Sequence, residues 1–237
     1  MRLVAIDLET SGLDPATCVI TEIGWALWDT DRSAPLMTGG GLVAPAEGEA
    51  PLSPEIVTLT AITDEDRKEF GTIPEALFAD VRDLFKKHGA ERFVAHNAPF
   101  DRSFLEPVAA SIGFTGLVGL PWIDTRTDLP LTEETTSGRL QHLLADHGII
   151  QPFRHRALFD ALGCCLLLQC YPIEEVIRRA DAPSVTLQAL VSFDEKELAK
   201  ARRYHWDAPT KAWLKTLKDF EVAAEETAAP FRTRRVA

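Results

Sequence analysis

Leu3-Val4-Ala5-Ile6-Asp7-Leu8-Glu9 is the stretch from which the rest of the chain can be read. Four consecutive apolar residues ending in acids read as a buried strand. Residues two apart on a strand point to the same side, so Asp7 and Glu9 share a face. Two carboxylates placed together repel, and they are poorly solvated unless a cation sits between them. Hard oxygen ligands of this kind suit Mg²⁺ or Mn²⁺. Taken alone, the pair is also what an ordinary solvated strand end carries.

Working outward, Val19 to Trp28 reads as a second strand and Gly41 to Val43 as a third, joined by turn-rich pieces such as Ser11-Gly12-Leu13-Asp14-Pro15. Three strands before any long helix predict an antiparallel start to a sheet. After a Pro-rich loop from Ala44 to Pro54, Ser53-Pro54-Glu55 has the form of an N-cap, first helical position and acidic first turn. Thr63-Asp64-Glu65-Asp66 starts a further helix. Leu77, Val81, Leu84 and Phe85 fall on one face of a helix from Pro74 to His88. Phe93-Val94-Ala95 and Trp122-Ile123-Asp124-Thr125 are short strands. A helix begins near Asp101, Leu140, Leu143 and Leu144 mark another, and a markedly apolar one runs from Ala157 to Cys170. Strands and helices alternating after an antiparallel start predict an α/β sandwich with a mixed sheet.

Two more acids stand at chemically interesting places. Asp101 follows His96-Asn97-Ala98-Pro99-Phe100 at a strand-to-helix junction, where an acid also complements the helix dipole. Asp160 lies about one turn into an apolar helix, where an unpaired carboxylate is costly. His155 precedes that helix by a turn. A lone histidine is usually a surface or capping residue, but one set among four acids and a metal can deprotonate water near neutral pH.

Together these segments resemble the DEDDh branch of the DnaQ-like 3′–5′ exonucleases. The matching pieces are Asp7-Leu8-Glu9-Thr10-Ser11-Gly12-Leu13, His96-Asn97-Ala98-Pro99-Phe100-Asp101 and His155-Arg156-Ala157 followed by Asp160. Ile20-Thr21-Glu22-Ile23-Gly24, Leu52-Ser53-Pro54-Glu55, Ile62-Thr63-Asp64-Glu65 and Ile123-Asp124-Thr125 are secondary likenesses, and the whole covers about residues 1–172 in order. The resemblance implies a ribonuclease-H-like fold, a mixed five-stranded sheet flanked by helices with the acids at its centre. It also implies a two-metal phosphodiesterase using two Mg²⁺ ions, with Mn²⁺ as a substitute, bound by Asp7, Glu9, Asp101 and Asp160. His155 would be the general base and nucleoside 5′-monophosphates the product. Thr10, Leu13, Asn97 and Phe100 would hold the 3′-terminal nucleotide. DNA with a free 3′ end is the favoured substrate, with RNA as the alternative. A proofreading or accessory partnership with a polymerase is the other reading.

After Pro172 the character changes. Val185 to Val191 alternates like a strand, Glu195 to Arg203 reads as a helix, and a hairpin turns at Ala208-Pro209-Thr210. A last helix near Phe220 to Thr227 and a strand from Phe231 to Val236 complete a small α+β module over 184–237, behind an exonuclease-like domain over 1–175. Its Arg202, Arg203, Tyr204, His205, Trp206, Lys211, Trp213, Lys215 and Lys218 interleave cations with aromatics, a composition that suits nucleic acid or a protein partner, or else a small core with a solvated basic face. It loosely resembles the extension of exodeoxyribonuclease X-type enzymes.

The 237 residues, 46% apolar and 26% charged, are ample for a core that needs no disulfide or metal to fold. Residues 1–175 carry a net charge of −14 and the remainder +3. So acidic a chain argues against a polyanionic partner unless the excess carboxylates hold metal ions. Cys18, Cys164, Cys165 and Cys170 fit neither zinc spacing nor a secreted framework, and the last three read as buried thiols of one apolar helix. With no apolar run long enough for a bilayer and no leader-like opening, the expectation is a cytoplasmic protein without a membrane partner.

Overall fold

The computed structural model describes residues 1–131, 135 and 137–236. They form two compact units, Met1–Ala180 and Asp181–Ala237.

The first unit is built on β1 (Arg2–Thr10), β2 (Ile20–Asp29) and β3 (Ala34–Leu42), a continuous antiparallel meander, followed by β4 (Arg92–Ala95) and β5 (Trp122–Asp124). The sheet order is β3-β2-β1-β4-β5, with β4 and β5 parallel to β1 and to each other. This is the mixed five-stranded sheet expected from the sequence, and β1 is its centre. The third strand is longer than Gly41–Val43, because Met37 to Leu42 pair in register along β2.

Helices α1 (Pro54–Thr60) and α2 (Asp64–Phe70) start where their caps predict. Ser53 Oγ accepts from Ile56 N at 3.4 Å, and Thr63 forms a reciprocal capping box with Asp66. The helices α3 (Pro74–Lys86), α4 (Ala98–Ser111), α5 (Leu140–Asp146), α6 (Ala157–Leu168) and α7 (Ile173–Asp181) complete the unit. Helix α4 begins three residues before Asp101, which therefore sits in its first turn. Helix α6 stops at Leu168, so Cys170 lies beyond it and is exposed rather than buried. Helix α7 is absent from the sequence reading, although Ile173, Val176, Ile177 and Ala180 have helical spacing and pack on the core below.

The pleat of β1 divides the core. Val4, Ile6 and Leu8 pack with Leu77, Phe78, Val81 and Leu84 of α3 and Phe104 and Leu105 of α4. Leu3 and Ala5 pack on the other face with Leu140, Leu143 and Leu144 of α5 and Ala161, Cys164 and Leu168 of α6. Asp7 and Glu9 continue the Leu3-Ala5 parity, so the strand's own alternation delivers both acids toward α6.

Gly24 fixes how closely α6 comes. It pairs with Asp7 across β1 and β2, and a Cβ there would fall 2.0 Å from the Leu158 backbone nitrogen. Only a residue without a side chain lets the helix backbone rest on the strand, and that approach brings Asp160 to the acids of β1.

The second unit pairs β6 (Ser184–Leu190), β7 (His205–Asp207), β8 (Ala212–Lys218) and β9 (Arg232–Val236) in the antiparallel order β7-β8-β6-β9. Helices α8 (Lys196–Ala201) and α9 (Asp219–Ala228) supply Ala199 and Val222 to its core with Leu187, Ala189 and Tyr204. Among the described residues no single helix is long and apolar enough to cross a membrane.

Replacing Gly24 by alanine should force α6 away from β2. A cost of about 1–3 kcal/mol is expected for overpacking of this kind, or roughly 2–12 °C in Tm for a chain of this length. Thermal denaturation at unchanged Tm would show that the contact does not constrain the fold.

Candidate active site

Four elements meet at the C-terminal end of β1. The strand brings Asp7 and Glu9, the first turn of α4 brings Asp101, the first turn of α6 brings Asp160, and the segment before α6 brings His155. All five line one cavity of about 750 Å³. Glu9, Asp101 and Asp160 are buried, and Asp7 and His155 are half-buried. Ligand atoms of Glu9, His155 and Asp160 lie within 4.8 Å of one another.

The electrostatics of this floor are unfavourable for an empty protein. Burial, followed by the neighbouring charges of Asp101, Asp160, Glu9 and Glu22, pushes the Asp7 carboxyl well above the usual carboxylate range. Burial and then Asp160 and Glu22 push Glu9 up to about 8, against the pull of Arg156. Asp101 and Asp160 are also raised, in both cases chiefly by burial. Hydrogen bonds oppose this in part. Leu8 N donates to Asp101 Oδ1 at 3.0 Å, and Gln151 Nε2 and Gln141 Nε2 donate to Asp160 Oδ1 at 2.8 and 3.3 Å. Four carboxyl groups held in one place without a balancing cation have the donor chemistry of a divalent metal seat.

The His155 segment is held from the neighbouring strand. Glu22 pairs with Glu9 across β1 and β2, a like-charge juxtaposition that needs a cation. Arg156 provides it: Nη2 and Nε donate to Glu22 Oε1 at 2.8 and 3.1 Å. Glu22 Oε2 also accepts from Ala157 N at 2.9 Å, capping the start of α6. His155 itself has a φ of +57°, in the left-handed region, so the chain turns sharply between Arg154 and the latched Arg156.

The expected substrate-binding residues divide. Thr10, Leu13 and Phe100 line the cavity, with Leu13 84% exposed at its rim. Asn97 is not among the lining residues. It caps α4 with a left-handed φ of +78°, donates its backbone N–H to Asp124 Oδ1 at 2.9 Å, and accepts from Arg126 Nη1 at 3.4 Å. Ile56 and Leu59 of α1 join Leu13 in the cavity wall, and Arg126, Arg139 and Arg154 add three cations to it. The sequence reading did not pick out these five. The caps of α1 located that helix, but a seven-residue helix does not declare which face it turns to a cleft. The arginines come from segments far apart in the chain.

The chain is similar to known proteins in sequence and in fold. Over 170 residues, 70% of the chain, it is 29% identical to the PolC-type DNA polymerase III of Bacillus subtilis, of which that stretch is 11%. It is 35% identical over 120 residues, 46% of the chain, to ribonuclease T of Klebsiella pneumoniae. Even there it spans only 55% of the relative's length. The structure of Escherichia coli exonuclease I with a dA16 oligonucleotide superposes with a TM-score of 0.61 at 16% identity, covering 84% of this chain and 50% of that one, a likeness of fold. Residues 4–168, which carry every acid of the cavity floor and His155, match the RNase_T family of exonucleases throughout. The chain therefore belongs to this family, the DnaQ-like exonucleases of ribonuclease-H-like fold.

Proposed function

We propose that the chain is a metal-dependent 3′–5′ exonuclease that removes nucleoside 5′-monophosphates from the 3′ ends of DNA. The observation that carries this reading is the crowding of Asp7, Glu9, Asp101 and Asp160 on one buried floor, with all four carboxyls pushed above their ordinary range. These four residues fit two divalent ions, Mg²⁺ with Mn²⁺ as a substitute. Once bound, the ions would stabilise the entering and leaving oxygens of the phosphoryl transfer. His155 takes the proton of the attacking water as its oxygen bonds to phosphorus. The bond to the 3′-oxygen of the shortened strand breaks, and that oxygen takes up a proton from solvent water. Glu22 and Arg156 position His155 from outside the reacting atoms. Leu13 and Leu59 offer apolar surface to the terminal base, and Thr10 and Phe100 complete its wall. Asn97 acts one step removed, by holding Arg126. The unit Met1–Ala180 would carry this chemistry and the smaller unit a binding role.

Solved structures of like fold include exonuclease I with an oligodeoxynucleotide and the nuclease domain of 3′hExo bound to rAMP, so the fold is compatible with either polymer. RNA is the second reading, favoured by the 35% identity to ribonuclease T. The match to part of a PolC-type polymerase supports an association with replication.

Incubation with 5′-labelled DNA and RNA oligonucleotides in Mg²⁺, Mn²⁺ or EDTA should give a metal-dependent ladder shortening from the 3′ end, faster on DNA. Asp7→Ala should abolish it while leaving Tm unchanged or raised, because repulsion is relieved. A ladder from this variant at near-normal rate would remove the metal assignment. His155→Ala should slow turnover by roughly 10²–10⁴-fold with metal affinity by calorimetry nearly unchanged; collapse of metal binding would make His155 a ligand instead. In EDTA, stability should depend on pH through Glu9. Its folded pKa, about 8, lies above the ordinary glutamate value of 4.5. The contribution is therefore whole below about pH 4.5 and lost as pH rises through 8. Tm should fall across that window in EDTA and fall less in Mg²⁺, and identical profiles in the two would contradict a metal seat.

A further inference from the structure

The run from Arg202 to Lys218 faces solvent only in part: Arg203, His205, Trp206 and Lys211 are exposed. Tyr204 is buried, Trp213 packs against the core, and Lys218 is 7% exposed. Arg202 and Lys215 both reach inward to Glu225, Arg202 through Nε and Nη2 at 2.8 Å and Lys215 through Nζ at 2.9 Å. Those two cations are occupied on the helix side of the sheet.

The other side differs. Leu187 and Ala189 point to the helices, since they share a cluster with Val222 of α9 and Ala199 of α8. By the two-residue pleat, Thr186, Gln188 and Leu190 therefore point away, with Thr216 and Leu214 of β8 paired to the first two and Val236, Arg234 and Arg232 of β9 paired to the three in turn. Hydrogen bonds across this face confirm its composition. Thr186 Oγ1 and Thr216 Oγ1 lie 3.0 Å apart, and Arg234 donates to Gln188 Oε1. Neither helix of the unit contributes to this side, and Thr216, Arg232 and Arg234 are exposed.

Charge separates the same way. Residues 181–237 hold ten Lys and Arg against nine Asp and Glu, almost neutral in sum. The acids of α9, namely Asp219, Glu221, Glu225 and Glu226, belong to the helix layer, and Glu226 faces Arg235 there at 3.9 Å. Among the described residues, the outward positions of β6, β8 and β9 hold no carboxylate. Asp207 of β7, paired with Ala212, lies at the far edge of this face, and Leu190, Leu214 and Val236 add apolar area to it. The β9 side thus turns Arg232 and Arg234 outward beside hydroxyls and an amide, a donor set that grips phosphate oxygens without reading bases.

We infer that this open sheet face binds the phosphate backbone of a nucleic-acid strand through Arg232 and Arg234. The inference rests on the reading of the chain as a nucleic-acid enzyme and adds to it a second contact surface outside the catalytic cavity. It predicts retention of the polymer independently of hydrolysis. EDTA prevents turnover, and the comparison of variants separates the sheet face from the cavity, whose wall carries cations of its own.

The test is fluorescence anisotropy of the full chain with a labelled single-stranded oligodeoxynucleotide, in EDTA, over a range of salt. Two phosphate contacts contribute about 1.4 to the slope of log K against log salt, at about 0.7 each on a single strand. The double variant R232Q/R234Q should have a slope shallower by that amount and bind roughly 10- to 30-fold more weakly at 0.1 M salt. R235Q, which loses the same charge from the helix side, should bind like the wild type. No binding by the wild type, equal binding by the double variant, or equal weakening by R235Q would each overturn the inference. So would a change of the double variant to a different oligomeric state with binding intact, which would make the face a contact between copies of this chain. Because the readout needs no turnover, its failure leaves ladder formation by the first unit standing, and failure of the ladder leaves the binding result standing.

Discussion

The crowding of four carboxyls, three buried and Asp7 half-buried, is the constraint around which the first unit is arranged. Burial raises every one of them, and Asp7, at the centre, also faces the charges of Asp101, Asp160, Glu9 and Glu22. A fold that only sought stability would disperse these groups to solvent. Here the sheet centre, two helix starts and a glycine contact collect them instead, which makes sense if a cation is the missing component. Gly24 brings α6 down onto β2, and the Glu22–Arg156 latch holds the turn from which His155 projects. The two devices lie on the same strand, two residues apart.

Legibility in the sequence followed the range over which each cause acts. β1 was readable because its burial and its alternation are local, and its pair of acids declared the site. The apolar run from Ala157 announced α6, and an acid inside that run announced Asp160. The caps Ser53 and Thr63 marked α1 and α2 to the residue, since capping is settled within one turn. What escaped depends on distant partners. Nothing near Gly24 says that a helix backbone more than 130 residues later will rest on it. Nothing near Glu22 says that its carboxylate will hold Arg156 and Ala157, although Glu22 and Gly24 both fall within a segment whose likeness to the family was visible. Helix α7 was legible and overlooked, because its short apolar pattern follows Pro172, where the composition changes.

The second unit shows the same limit differently. The run of cations between Arg202 and Lys218 divides between inward and exposed positions, with Arg203 and Lys211 exposed and Arg202 and Lys215 turned to an acid. One buried acid, Glu225, is held well down, to about 2, chiefly because hydrogen bonds from Arg202 and Lys215 outweigh its burial. That single residue removes two cations from the surface. Which face of a sheet a residue occupies follows from parity, but which face is covered follows only from where the helices pack.

The most direct test of the cation seat is to count Mn²⁺ bound per chain by titration calorimetry, for the wild type and for Asp7→Asn, which keeps the shape of the side chain and removes its charge. Two bound ions in the wild type, with strong loss of affinity in the variant, is the result expected from four carboxyls that lack a counter-charge. No binding, or binding indifferent to Asp7, would contradict the account.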